Sequence, residues 1–198
     1  MKSFIILKKL YILILFSLFS NLYANKTYIT MGVDIDLSVN CNENVIEKIG
    51  KVLPKPGIYL GFNSFKEESN IGFHFDGNIL VSSKNENLNL AFSTLLGPAF
   101  LIGNESGFLI SPGISLGFML GGTNDSTTKN TIGESFAGIG SIFTYFFNSG
   151  FSIGLNFNYY PLTFVHYSIT ENNKTTKFED FENSFTVGIM FGYTNWYR

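Results

Sequence analysis

Cysteine is nearly absent, with one residue, Cys41, in 198. That excludes an internal disulfide, so the fold must be held by burial and hydrogen bonding alone. Charge is scarce as well: 14% of residues are charged, against roughly 25% in soluble domains. Asparagine, serine, threonine and glycine carry the polarity instead. A basic face is missing too, since Lys and Arg number 13 against 15 Asp and Glu. This argues against nucleic acid as a partner. Beyond residue 24, no apolar run reaches the roughly 20 residues that a membrane-spanning helix needs. If the remainder enters a membrane, it must therefore do so as a closed barrel.

The N-terminus reads as a targeting segment. Lys2, Lys8 and Lys9 precede the apolar run Leu10–Phe16, and Leu22-Tyr23-Ala24 offers a cleavage site. The expected organisation is a signal peptide over 1–24 and one barrel domain over 25–198. Removing the leader makes the net charge of −2 more negative.

After Ala24 the dominant pattern is period two, the signature of strands. It predicts eight: Tyr28–Leu37, Ile58–Phe65, Ile71–Val81, Leu88–Leu101, Phe108–Leu120, Ile132–Phe146, Phe151–Tyr159 and Ser184–Thr194. The fifth is the clearest, setting Phe108, Ile110, Ile114, Leu116, Phe118 and Leu120 against Ser111, Gly113, Ser115 and Gly117. The facing of the sixth is ambiguous, and Pro98 weakens the later part of the fourth. Short connections at 66–70, 103–106 and 148–150 alternate with mostly longer ones, as in an outer-membrane barrel. The long loops at 39–56 and 162–183 are the expected working surface. Within them, Asn44–Val52 has helical spacing, with Pro54 and Pro56 as a stop. Thr163–Ile169 and Thr175–Phe181 are positioned to continue the last two strands toward a tip at 171–174.

Which face looks outward follows from charge. The polar faces carry Gly, Ser, Thr and Asn, and the predicted strand cores hold no Lys or Arg. A soluble exterior mixes both signs of charge over roughly a quarter to a third of its surface. Small polar residues suit a narrow lumen, and the apolar stripes then face lipid. Phe65, Phe108, Tyr145, Phe146, Phe151, Tyr159, Tyr160, Tyr193 and Trp196 are expected as interfacial girdles. A soluble lipocalin-like barrel around an apolar ligand is the alternative arrangement.

The whole pattern resembles the small eight-stranded outer-membrane barrels of the OmpA-barrel, OmpX and OmpW kind. Phe185, Val187, Ile189, Phe191 and Tyr193 alternate toward the aromatic end Trp196-Tyr197. In such families this strand is what the barrel-assembly machinery recognises. The Asn-, Lys- and Ile-rich loops resemble those of spirochaetal surface members. The resemblance implies an all-β, antiparallel up-and-down transmembrane barrel in the bacterial outer membrane. Outer-membrane lipid and the assembly machinery are its expected partners, and its loops would meet host or extracellular macromolecules in an adhesin-like role.

Candidate chemistry is thin. His74 and Asp76 share one face of one strand, but no matching nucleophile or third ligand accompanies them. With Asp34, Asp36 and Glu134 they read as a polar cluster filling the lumen. Acids without obvious basic partners leave a small cation-preferring pore as an alternative. The expectation is therefore no enzyme, no catalytic residue, no cofactor and no metal. His166 and the group Lys48, Lys51 and Lys55 read as solvated loop residues.

Overall fold

The structure is a computed structural model that describes residues 26–41, 52–84, 87–103, 106–124, 128–171 and 174–197. The predicted leader, most of the predicted helix at 44–52, and Lys48 and Lys51 lie outside these residues. Val52, at the end of that helix, belongs to a strand.

Eight strands follow in chain order: β1 (Lys26–Asn40), β2 (Val52–Phe65), β3 (Ile71–Lys84), β4 (Asn87–Gly103), β5 (Gly107–Asn124), β6 (Thr128–Phe146), β7 (Phe151–Glu171) and β8 (Lys174–Tyr197). Each pairs antiparallel with the next, and β1 pairs with β8 to close the ring. Closure leaves no sheet edge around the body of the barrel. The alternation is resolved as the charge argument requires. Ile114 and Leu116 are 57% and 51% exposed, whereas Ser115 between them is 2% exposed. Met31, Val33, Ile35, Ile58, Leu60, Phe118, Leu155 and Ile189 extend the same apolar exterior around the ring.

Three departures from the sequence reading have local causes. First, β2 begins at Val52, six residues early, and passes through Pro54 and Pro56. Its ladder with β1 is continuous to Val39↔Val52, but its ladder with β3 stops at Gly57↔Leu80. The missing proline N–H groups therefore fall on the β3 side, where no ladder asks for them. Second, β4 runs straight through Pro98, and its pairing with β5 resumes in the same register at Phe100↔Ile110. Third, most of the supposed loop 162–183 is sheet. After an irregularity between Tyr160 and Thr163, β7 and β8 stay paired to Glu171↔Lys174. The expected continuation of strands seven and eight is thus present, as paired strands.

The wall is consequently lopsided. β5 and β6 pair up to Asn124↔Lys129, and β6 and β7 up to Thr128↔Glu171. The β1–β8 ladder ends at Asn40↔Ser184. Beyond that point β8 continues to Lys174, about 30 Å further along the strand, and one half of the rim stands above the other.

The opposite end has tight turns. Thr194 N–H donates to Gly150 O (2.7 Å), and Gly150 takes φ 86° with the Tyr193 ring packed where a Cβ would project. Glu68 occupies the same left-handed region at φ 61° without being glycine. Glu68→Gly should relieve that strain and raise unfolding stability by about 0.5–1 kcal/mol. Urea denaturation of the folded barrel reads the change; a loss of stability would show that the carboxylate matters more than the backbone.

Candidate functional site

The interior is layered rather than uniformly polar. Tyr28, Phe65, Ala99, Leu101, Leu109 and Phe146 form a buried cluster at the short-turn end, with the Tyr28 ring 5.5 Å edge-on from Phe65. Tyr59, Leu95, Ile142 and Met190 form a second cluster. Leu80, Ala91, Met119, Ile132 and Val165 form a third toward the tall rim, with Tyr167 and Phe178 packed against it. Large rings fit this narrow space because glycines face them. Tyr59 lies opposite Gly32, Phe65 opposite Gly72, and Phe136 opposite Gly117. In each pair the ring occupies the volume a partner side chain would fill.

This corrects the girdle assignment. Phe65, Phe146 and Tyr160 are buried and point inward. Phe108, Phe151, Tyr159 and Tyr193 are exposed as expected, and Tyr145 packs against Phe108 with ring centroids 4.8 Å apart. The Trp196 side chain lies outside what the structure describes. The ambiguous β6 proves to be apolar on both faces, with Ile132 and Ile142 inside and Ile139 and Phe143 outside.

Asp34, Asp36, His74, Asp76 and Glu134 are all buried, as the lumen reading expects. Each aspartate sits across from a glycine: Asp34↔Gly57, Asp76↔Gly61 and Asp36↔Gly188. Two sets of contacts involve four of the five. His74 Nδ1–H donates to Asn63 Oδ1 (2.7 Å), while Asp76 accepts from the Asn78 amide (2.9 Å) when that amide is oriented to satisfy both groups. Asp36 and Glu134 line a small cavity together with Lys55, Phe136 and Tyr160. Asp36 also accepts from Asn156 Nδ2 (2.7 Å). That bond is unusual in reach. Asp36 is on β1 and Asn156 on β7, and both are register partners of Gly188 on the intervening β8. The bond passes over the glycine and ties the closing seam of the barrel to the next strand.

Lys55 is the residue the sequence reading misplaced. It is 6% exposed and faces the lumen, directly across from Asp36. Asp36 and Glu134 therefore have a basic neighbour, and one strand interior does contain a lysine. The signal that could have found it is Pro54-Lys55-Pro56 itself: both prolines take the outer face, which leaves the residue between them inside. Further polar contacts complete the layers: Thr30 with Thr194, Ser115 with Tyr160, and Thr163 with Ser184, each at 2.9 Å. Among the described residues, no three His, Cys, Asp or Glu side chains meet in a metal-holding arrangement.

His166 is not a loop residue. It lies on the outer face of the β7–β8 hairpin, with Nδ1 3.0 Å from Glu179 Oε1. On the same face Phe164 packs against Phe181 at 5.2 Å.

Comparison with known proteins bears on this geometry through the fold alone. No protein-family model matches the chain, and no curated protein does. Among solved structures, Ail, the attachment invasion locus protein of Yersinia pestis, superposes with a TM-score of 0.51 at 11% identity, covering 87% of this chain and 99% of that one. A major outer membrane protein from Thermus thermophilus superposes with a TM-score of 0.50 at 8% identity, covering 84% and 99%. The fold is that of the small eight-stranded outer-membrane β-barrels.

Proposed function

We propose that the chain is a non-catalytic outer-membrane barrel whose tall rim, chiefly the β7–β8 hairpin, is a surface-exposed binding platform. The observation that carries this reading is the extension of paired sheet beyond the apolar exterior. Paired strands hold a surface in one shape, and binding groups are best presented from such a scaffold. The exposed Ile, Leu, Val and Phe positions of the lower wall support placement in lipid, where every backbone group must be paired. The alternating Phe185–Tyr193 run of β8 supports delivery by the barrel-assembly machinery. Three apolar clusters across the lumen favour a filled scaffold over a cation-preferring pore. Ail, an attachment protein by name, has the same fold, and this supports a role in contact with other surfaces.

Amine labelling of intact cells with an impermeant reagent tests the orientation. Lys174 and Lys177 on the hairpin are expected to react, while Lys66 in a short turn is expected to react only after the outer membrane is opened. The reverse pattern would remove the proposal.

A further inference from the structure

Toward the tall rim, the outer face of β6, β7 and β8 is laid out in rows. Phe164 lies opposite Ser135 and Phe181, His166 opposite Gly133 and Glu179, Ser168 opposite Thr131 and Lys177, and Thr170 opposite Lys129 and Thr175. Side chains alternate across a strand. Ile132, Glu134, Thr163 and Val165 are buried inside, so these rows face outward. Their chemistry changes abruptly. The lowest row holds two aromatic rings with centroids 5.2 Å apart. The upper two hold hydroxyls and the exposed lysines Lys129 and Lys177, with Thr170 and Thr175 hydrogen-bonded to each other at 3.0 Å. Among the described residues Glu179 is the one acid on this face, and His166 Nδ1 meets it at 3.0 Å. The two lysines leave the face with an excess of positive charge.

The height of this boundary matters. Phe181 stands twelve residues above the exposed Tyr193 on β8, which is about 31 Å along the barrel axis for strands tilted roughly 40°. The apolar band of a membrane barrel is about 25 Å tall, with an aromatic girdle at each interface. Tyr193 and the Phe164–Phe181 pair have the separation of two such girdles. Lys177 is four residues above Phe181, or about 10 Å higher. Lysine side chains lay their stems along apolar surface and carry the ammonium to the polar layer. Lys129 and Lys177 can therefore bring their charges to the depth of lipid headgroups, over hydroxyls that also donate to phosphate.

We infer that the outer face of β6–β8 above the Phe164–Phe181 pair binds the anionic phosphate headgroup of a lipid in the surrounding leaflet, through Lys129 and Lys177. This rests on the outer-membrane reading above. Two features of the face favour a lipid over a soluble partner. The apolar exterior runs up to it on the same strands, so a lipid whose chains lie against Leu162 and Phe164 has its headgroup beside the lysines. The lysines also sit on the outer side of the wall, where the leaflet is, and not on the lumen side. Lysine near a membrane surface attracts acidic lipid, at about fivefold in association for each residue.

A local reporter tests this. Leu162→Trp, in a chain carrying Trp196→Phe, places one tryptophan at an exposed position just below the aromatic row. The full chain is reconstituted in mixed phosphatidylcholine and phosphatidylglycerol vesicles and shown to be folded by heat-modifiable mobility. Quenching by phosphatidylglycerol with brominated chains is then compared with quenching by brominated phosphatidylcholine. The acidic lipid is expected to associate at the reporter about fivefold or more tightly. Lys129→Gln with Lys177→Gln should bring the preference to within about twofold of none, while Lys66→Gln in a short turn should leave it unchanged. Equal quenching by the two lipids, or a preference that survives the double substitution, would overturn the inference and leave the barrel reading in place. A reporter quenched by neither lipid would overturn both.

Discussion

Gly188→Val is expected to cost on the order of 4 kcal/mol of barrel stability. The cost is expected to show as loss of the compact, heat-modifiable species or a large fall in the urea midpoint. The inner surface of β8 at this position is crossed by the hydrogen bond from Asn156 to Asp36, and a Cβ placed there would overlap the Asp36 carboxylate and the Asn156 amide. The new side chain must displace both groups. It then leaves a buried carboxylate without its donor, in addition to the strain of overfilling a closed ring. Gly77→Ala provides the contrast. The Cβ there meets nothing closer than Phe75 at 4.0 Å, so the substitution should be neutral or stabilise by up to about 1 kcal/mol, as expected for replacing glycine within a strand. Equal effects at the two positions would show that the seam hydrogen bond is not what Gly188 protects.

The second large effect belongs to the outer face. Leu116→Arg, near the middle of β5, is expected to destabilise the chain in vesicles by about 2–4 kcal/mol, whereas Leu120→Arg, nearer the rim, should cost about 0–1 kcal/mol. Both leucines are exposed, at 51% and 59%. In water neither substitution would matter much, so the difference measures the hydrocarbon around Leu116. Equilibrium unfolding in lipid vesicles supplies both values. A cost below about 0.5 kcal/mol at Leu116 would remove the membrane from the description of this barrel.

Much of the wall was legible because its residues repeat every second position. Strand five needed nothing else: the alternation of Ile114, Ser115, Leu116 and Gly117 is also its alternation between outside and inside. The pattern fails where parity changes. The irregularity between Tyr160 and Thr163 switches the inward residues of β7 from even positions, ending at Tyr160, to odd ones, beginning with Thr163 and Val165, and Phe146 and Phe147 are adjacent, so composition gave no hint which one was buried. β6 offered two apolar faces and hence no preference. At β2 the prolines suggested a loop, because the sequence does not show that the neighbouring ladder has already ended.

The sequence by itself determined the number of strands, their antiparallel order, the lipid-type orientation of the faces, and the burial of Asp34, Asp36, His74, Asp76 and Glu134. These follow from local periodicity and from the scarcity of charge, both of which are properties of the chain alone. Only the tertiary structure decided that Lys55 joins Asp36 and Glu134, that Asn156 reaches Asp36 over Gly188, and that β8 stays paired with β7 well beyond the end of its ladder with β1. Those outcomes depend on which residues ring closure brings opposite one another, and register between strands distant in sequence is set by the closed sheet as a whole.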